Sequence, residues 1–190
     1  MTKVQLLKEI LQRAGDPNAE SDTFRSLAWS LFLESLYEQA DNLRLVEDKS
    51  LVKTVTLAVI TGLNGVGLVN ERSGFFDTIA EIKDIFILND SHNIPVARAS
   101  DEEYRLMLSN PFYMPAGDEF FYYYTFSKLY ILTGQPLATL QVTVSYYPDF
   151  RTIMDTLSGD TATIPIHNSF ISKLIPVVAA KLKAELGLVL

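Results

Sequence analysis

The chain has 190 residues, a formal net charge of -7, 48% hydrophobic residues and no cysteine. That length buries about two thirds of the surface exposed by the unfolded chain, so neither a disulfide nor a metal is required to hold a core. The missing thiols exclude cysteine catalysis, iron–sulfur clusters and cysteine-ligated zinc. A pI near 4.8 argues against general nucleic-acid binding, whose affinity comes from clustered Lys and Arg. The expectation is one acidic domain over residues 1–190.

In the first fifteen residues, Lys3, Lys8, Glu9 and Arg13 interrupt any apolar run of the secretory type. Leu6, Leu7, Ile10, Leu11 and Ala14 recur at helical spacing, and Gly15 with Pro17 supplies a stop. A second helix opens near Ser21 or Asp22, either of which can cap its free amides. It lines one face with Phe24, Leu27, Ala28, Leu31, Phe32, Ser35 and Leu36. A short polar loop between the two makes a helical hairpin.

From residue 52 the period changes to two. Val52, Val55, Leu57 and Val59 with Thr54, Thr56 and Thr61 read as a strand, punctuated by Gly62, Asn64, Gly65 and Gly67. This most apolar window, residues 54–69, is shorter than the roughly 20 apolar residues of a membrane span. Residues 80–88 alternate as a second strand. Ser100 and Glu103 form the Ser-x-x-Glu pattern of a capping box, placing a short helix at 100–108 that ends before Pro111. Residues 119–125, 128–132 and 137–147 read as an antiparallel meander closed by Pro148. Residues 163–186 return to helix, with Pro176 inside as an expected kink and Gly187 as the stop. The fold class expected is α+β: a helical bundle from both chain ends (1–48 and 163–187) with an inserted small antiparallel β-sheet (52–148) and a tail at 188–190.

Catalytic constellations are weak. The glycines between 62 and 67 match neither phosphate-binding spacing. His92, in the polar loop 89–93, and His167, before the last helix, each lack a second ligand at helical spacing. Asp84, Asp90, Asp101 and Asp118 stand singly, and no Gly-x-Ser-x-Gly elbow occurs. No catalytic residue, cofactor or metal is therefore assigned. The run Phe120-Phe121-Tyr122-Tyr123-Tyr124, continued by Phe126 and Tyr130, is the conspicuous feature. Its acidic neighbours Asp118 and Glu119 disfavour base stacking, which recruits basic flanks. Consecutive strand residues face opposite sides, so one set can fill the core while the other meets a partner, a use that suits tyrosine.

The succession Ile82-Lys83-Asp84-Ile85-Phe86-Ile87, a helix at 100–108, the aromatic strand 120–124 and Leu129-Tyr130-Ile131-Leu132 continues with Thr139 to Pro148 and Ile164-Pro165-Ile166-His167 before a final helix. Together with N-terminal helices that carry Trp29, it resembles the head-to-tail adaptor (connector ring) proteins of tailed bacteriophages. The glycine-rich stretch 62–74 and Pro176 depart from that pattern. The resemblance implies a small sheet in a helical bundle, no enzyme activity and no cofactor. It further implies a virion protein whose copies form a ring, expected to be dodecameric, beneath the portal protein, joined to tail or stopper proteins with DNA passing through the lumen. Neither sequence-specific nucleic-acid binding nor membrane contact is expected, and an isolated subunit is expected to be largely monomeric until templated. Interface candidates are Tyr122, Tyr124, Tyr130 and the apolar tail Leu188, Val189 and Leu190. Alternatives are another tail-side part, such as a stopper or tail-completion protein, and a carbohydrate or small-ligand module built on the aromatic strand. An enzyme dependent on His92 or His167 ranks last.

Overall fold

The computed structural model describes residues 1–16, 22–45, 49–60, 66–69, 75–89, 92–117, 119–125, 128–134 and 140–187. Among them are five α-helices, α1 (Lys3–Ala14), α2 (Asp22–Leu45), α3 (Asp101–Ser109), α4 (Phe150–Asp155) and α5 (Asn168–Glu185). The strands are β1 (Lys53–Ile60), β2 (Val66–Val69), β3 (Ile79–Asn89), β4 (His92–Pro95), β5 (Ala97–Arg98), β6 (Phe121–Thr125), β7 (Lys128–Leu132) and β8 (Gln141–Pro148). The chain divides into two compact units, Met1–Asp48 with Phe150–Leu190, and Lys49–Asp149.

The first unit is helical. The Thr2 hydroxyl accepts the Gln5 amide, and the Gln5 side chain accepts the Thr2 amide, so two otherwise unpaired donors at the start of α1 are satisfied. The helix ends at Gly15, whose φ of 100° is left-handed and suits glycine. The residues selected by spacing, Leu6, Leu7, Ile10, Leu11 and Ala14, are the buried ones. α2 buries Ala28, Leu31, Phe32, Ser35 and Leu36. α5 begins at residue 168, later than the expected 163, because residues 160–164 lie alongside the chain's first residues. Lys3 and Val4 donate to the carbonyls of Ala162 and Asp160, and Ile164 donates to that of Met1. Capping comes from His167, whose Nδ1 accepts the Ser169 amide at 3.3 Å. The helix then runs through Pro176. Exposed ion pairs join Lys181 to Glu34 at 3.0 Å and Arg151 to Asp41 at 3.1 Å, each worth under about 1 kcal/mol.

The second unit holds one eight-stranded sheet in the order β4-β3-β8-β1-β2-β7-β6-β5. Its two ends belong to a single extended stretch. The Val96 amide donates to Ile85 on one side, while the Ala97 and Ala99 amides donate to Phe120 and Tyr122 on the other. Residues 92–99 thus switch from antiparallel pairing with β3 to parallel pairing with β6, and the sheet wraps into a nearly closed barrel. Val59, Val69, Ile85, Ile87, Leu129, Ile131, Val142 and Val144 fill its interior, joined by Phe76 from a single 3₁₀ turn.

This overturns the expected bundle with a small inserted antiparallel sheet: the fold is mixed α/β with an eight-stranded, nearly closed, barrel-like sheet. The expected meander also fails at its third strand, since β8 lies between β3 and β1 and not beside β7. Alternating Val142, Val144 and Tyr146 identify a half-buried strand, but its neighbours are chosen by long-range packing. Of the polar loop expected over 89–93, Asn89 ends β3 and residues 92–93 open β4.

Candidate interaction surface

Pairing register sets which side chains share a face. Ile60 pairs with Leu68, Leu68 with Tyr130, and Tyr130 with Tyr123. One row of apolar and aromatic side chains therefore crosses four strands on the outside of the barrel, opposite the core residues Val59, Leu129 and Ile131. Ile60 is 49% exposed and Leu68 36%. Beside it, the outer face of β1 and β8 is polar, with Thr54 against Ser145 at 3.4 Å and Thr56 against Thr143 at 3.2 Å. The barrel exterior thus changes character along β1, from the hydroxyls of Thr54 and Thr56 to the apolar Ile60 that starts the row.

α3 covers one end of the row. The Ser100 hydroxyl accepts the Glu103 amide, and the Glu103 carboxylate accepts the Ser100 amide at 2.7 Å. The Ser100 amide and, second, the Ser100 hydroxyl, which donates to the same carboxylate oxygen at 2.8 Å, hold the Glu103 carboxyl below the usual carboxylate range. Met107 packs against Ala99 and Leu132. One turn earlier, Tyr104 stacks on Tyr123 with centroids 4.0 Å apart and planes 11° from parallel, and it lies 5.6 Å from Tyr130. Burial, then the neighbouring Tyr130 and Tyr123, pushes the Tyr104 phenol up.

The interface candidates fall on different faces. Tyr130 belongs to the outer row. Tyr122 and Tyr124 pack half-buried against the barrel core, and the Tyr124 hydroxyl donates to the Phe76 carbonyl at 3.0 Å. Burial raises the Tyr122 phenol, partly opposed by Arg98. Leu188, Val189 and Leu190 lie outside the described residues, as do Asp90, Asp118, Gly62 and Gly65. His92 is in β4, His167 caps α5, and Asp84 and Asp101 lie in β3 and α3. Among the described residues no cluster of three or more acidic or histidine side chains could hold a metal, and no helix is long and apolar enough to cross a membrane. Sequence reading passed over Ile60, Leu68 and Tyr104. Ile60 and Leu68 look like ordinary strand residues until the register sets them beside Tyr130.

The phenols of Tyr104, Tyr122 and Tyr146 are all raised by burial. A raised acid binds its proton more tightly in the folded state, so the stability involved is complete below the unfolded tyrosine value of about 10. It is lost as pH climbs from there through the folded values. Urea unfolding midpoints should therefore hold up to about pH 9.5 and fall as pH rises through about 10 to about 11, and Tyr104→Phe should shrink the fall. A midpoint drop unaltered by that substitution would contradict the assignment to Tyr104.

Comparison of the chain with protein-family models and with curated proteins finds no match.

Proposed function

We propose that this protein is an assembly subunit whose outer barrel row docks on another copy of the chain, and that the assembly is the ring at the head–tail junction of a tailed-phage virion. The observation that carries the first part is the register-aligned row Ile60, Leu68, Tyr130 and Tyr123, facing outward beside a polar half of the same sheet. Apolar side chains aligned across four strands gain by being covered, and aromatic residues are enriched where subunits meet. The second part comes from the order of sequence features from Ile82 to the final helix. Its expected sheet-in-bundle architecture is replaced by the barrel, so the ring reading rests on that order and on the surface. Portal protein and tail or stopper proteins are the partners in this reading, and the work is non-catalytic docking.

The carbohydrate alternative is less well served. Rings 4.0 Å apart, as Tyr104 and Tyr123 are, already occupy each other's faces and leave no slot for a sugar between them. The other phenols of the strand, Tyr122 and Tyr124, point to the core side.

The test is the particle mass of the purified chain, alone and mixed with the portal ring encoded in the same genome. The expected result is a largely monomeric chain that forms a ring-sized complex on the portal. Replacing the row through Leu68→Ser with Tyr130→Ser should reduce complex formation at least tenfold while leaving the far-ultraviolet circular dichroism unchanged. A chain that remains monomeric and ignores the portal overturns the ring reading.

A further inference from the structure

A second apolar feature of the barrel unit lies just beyond α3. Phe112 is 96% exposed, Tyr113 55% and Leu108 48%, which concentrates large apolar side chains at one tip. The backbone beneath them is well fastened. Asn110 donates to the Leu106 carbonyl at 3.0 Å, its side-chain oxygen accepts the Phe112 amide at 3.0 Å, and its carbonyl accepts the Tyr113 amide at 3.0 Å. Pro111 restricts the chain further. On the far side the Gly134 amide donates to the Pro115 carbonyl at 3.1 Å, and a Cβ at 134 would meet that oxygen at 2.5 Å, so the two backbones touch. A displayed phenylalanine on a preorganised turn loses little entropy on docking.

Resting on the assembly reading above, we infer that Phe112 of one copy seats on the Ile60–Leu68–Tyr130 row of the next. The two surfaces are unlike: one is a displayed turn and the other a row of side chains across neighbouring strands. Contacts between unlike patches are heterologous, and they generate rings when the rotation closes. Charge favours the same pairing. Exposed Lys128 lies on the outer face of β7, two residues from Tyr130, whereas the helix leading to the tip exposes Asp101, Glu102 and Glu103 against one cation, Arg105. The same acidic residues are repelled by an anionic lipid surface, which disfavours a membrane as the occupant.

The absence of cysteine from the chain makes the test clean. Tyr113→Cys and Lys128→Cys are made singly and together in the full chain, and the protein assembled on the portal ring is treated with a short bis-maleimide. The double variant should give a ladder of dimers, trimers and larger species. The two single variants mixed should stop at a dimer, and each alone should give no cross-link. Adding Phe112→Ser should weaken the ladder at least fivefold. Cross-linking of a single variant to itself overturns the inference, because it indicates like patches meeting. So does a ladder that persists undiminished with Phe112→Ser. If light scattering shows oligomers, or portal complexes form, without a ladder, the inference fails while the assembly reading stands. A chain monomeric by scattering and inert to the portal overturns both.

Discussion

Phe76→Ala should lower the stability of the barrel unit by about 3–5 kcal/mol, the range for emptying a fully buried aromatic site. Phe76 is 1% exposed and enters the barrel from a 3₁₀ turn between β2 and β3. Its ring lies 5.3 Å from that of Phe75 and 6.0 Å from that of Tyr124, and its carbonyl accepts the Tyr124 hydroxyl. Truncation opens a cavity among strands that converge from distant parts of the chain, where collapse is opposed by the sheet itself. For a chain of this length each kcal/mol moves the melting midpoint by roughly 2–4 °C. Calorimetry is the check, and a shift below a few degrees would show that Phe76 does not carry the packing assigned to it. Tyr124→Phe, which removes only the hydroxyl, should cost about 1 kcal/mol.

Phe32→Ala should have a comparable effect on the helical unit, again about 3–5 kcal/mol. Phe32 is fully buried and stacks on Trp29 with centroids 5.5 Å apart, while the Lys3 ammonium sits 4.6 Å from the Trp29 centroid. Trp29 is the chain's single tryptophan, so its fluorescence reports on this unit specifically. The urea midpoint followed by tryptophan emission should drop markedly in Phe32→Ala. Indole emission that unfolds at the wild-type midpoint would contradict the packing described.

The helices were legible because their information is local. The apolar spacing of α1, its stop at Gly15 and the Ser100–Glu103 capping box each involve residues within a turn or two of one another. Strand positions were legible for the same reason, through the alternation of Val142, Val144 and Tyr146. Sheet order was not, because β8 finds its neighbours 53–58 and 79–88 far away in sequence, and no local pattern encodes such a choice. The stretch 92–99 shows the limit well: polar Asn93, Pro95 and the short Ala97-Arg98 pair look like loop, yet they complete both edges of the sheet. Without that closure the inside and outside of the aromatic strand could not be told apart. The run at 120–124 announced two faces, and only register showed that Tyr123 and Tyr130 belong outside while Tyr122 and Tyr124 line the core. Phe112 drew no notice beside five consecutive aromatics, although a phenylalanine directly after Pro111 at a helix end is a candidate for display.

The contrast between core and row also orders the expected phenotypes. Phe76→Ala and Phe32→Ala act on folding. Substitutions at Leu68, Tyr130 and Phe112 act on association, with surface-sized effects on stability of about 0.5 kcal/mol or less where the side chain is open to solvent.

Hydroxyl-radical footprinting of the chain, free and in its portal-templated complex, tests the docking of the outer row most directly. Leu68, Tyr130 and Phe112 should be oxidised in the free chain and protected severalfold in the complex, with Val142 and Leu129 inert in both. Equal oxidation of Leu68 and Tyr130 in the two states would contradict the account, because the row would then remain in water after assembly.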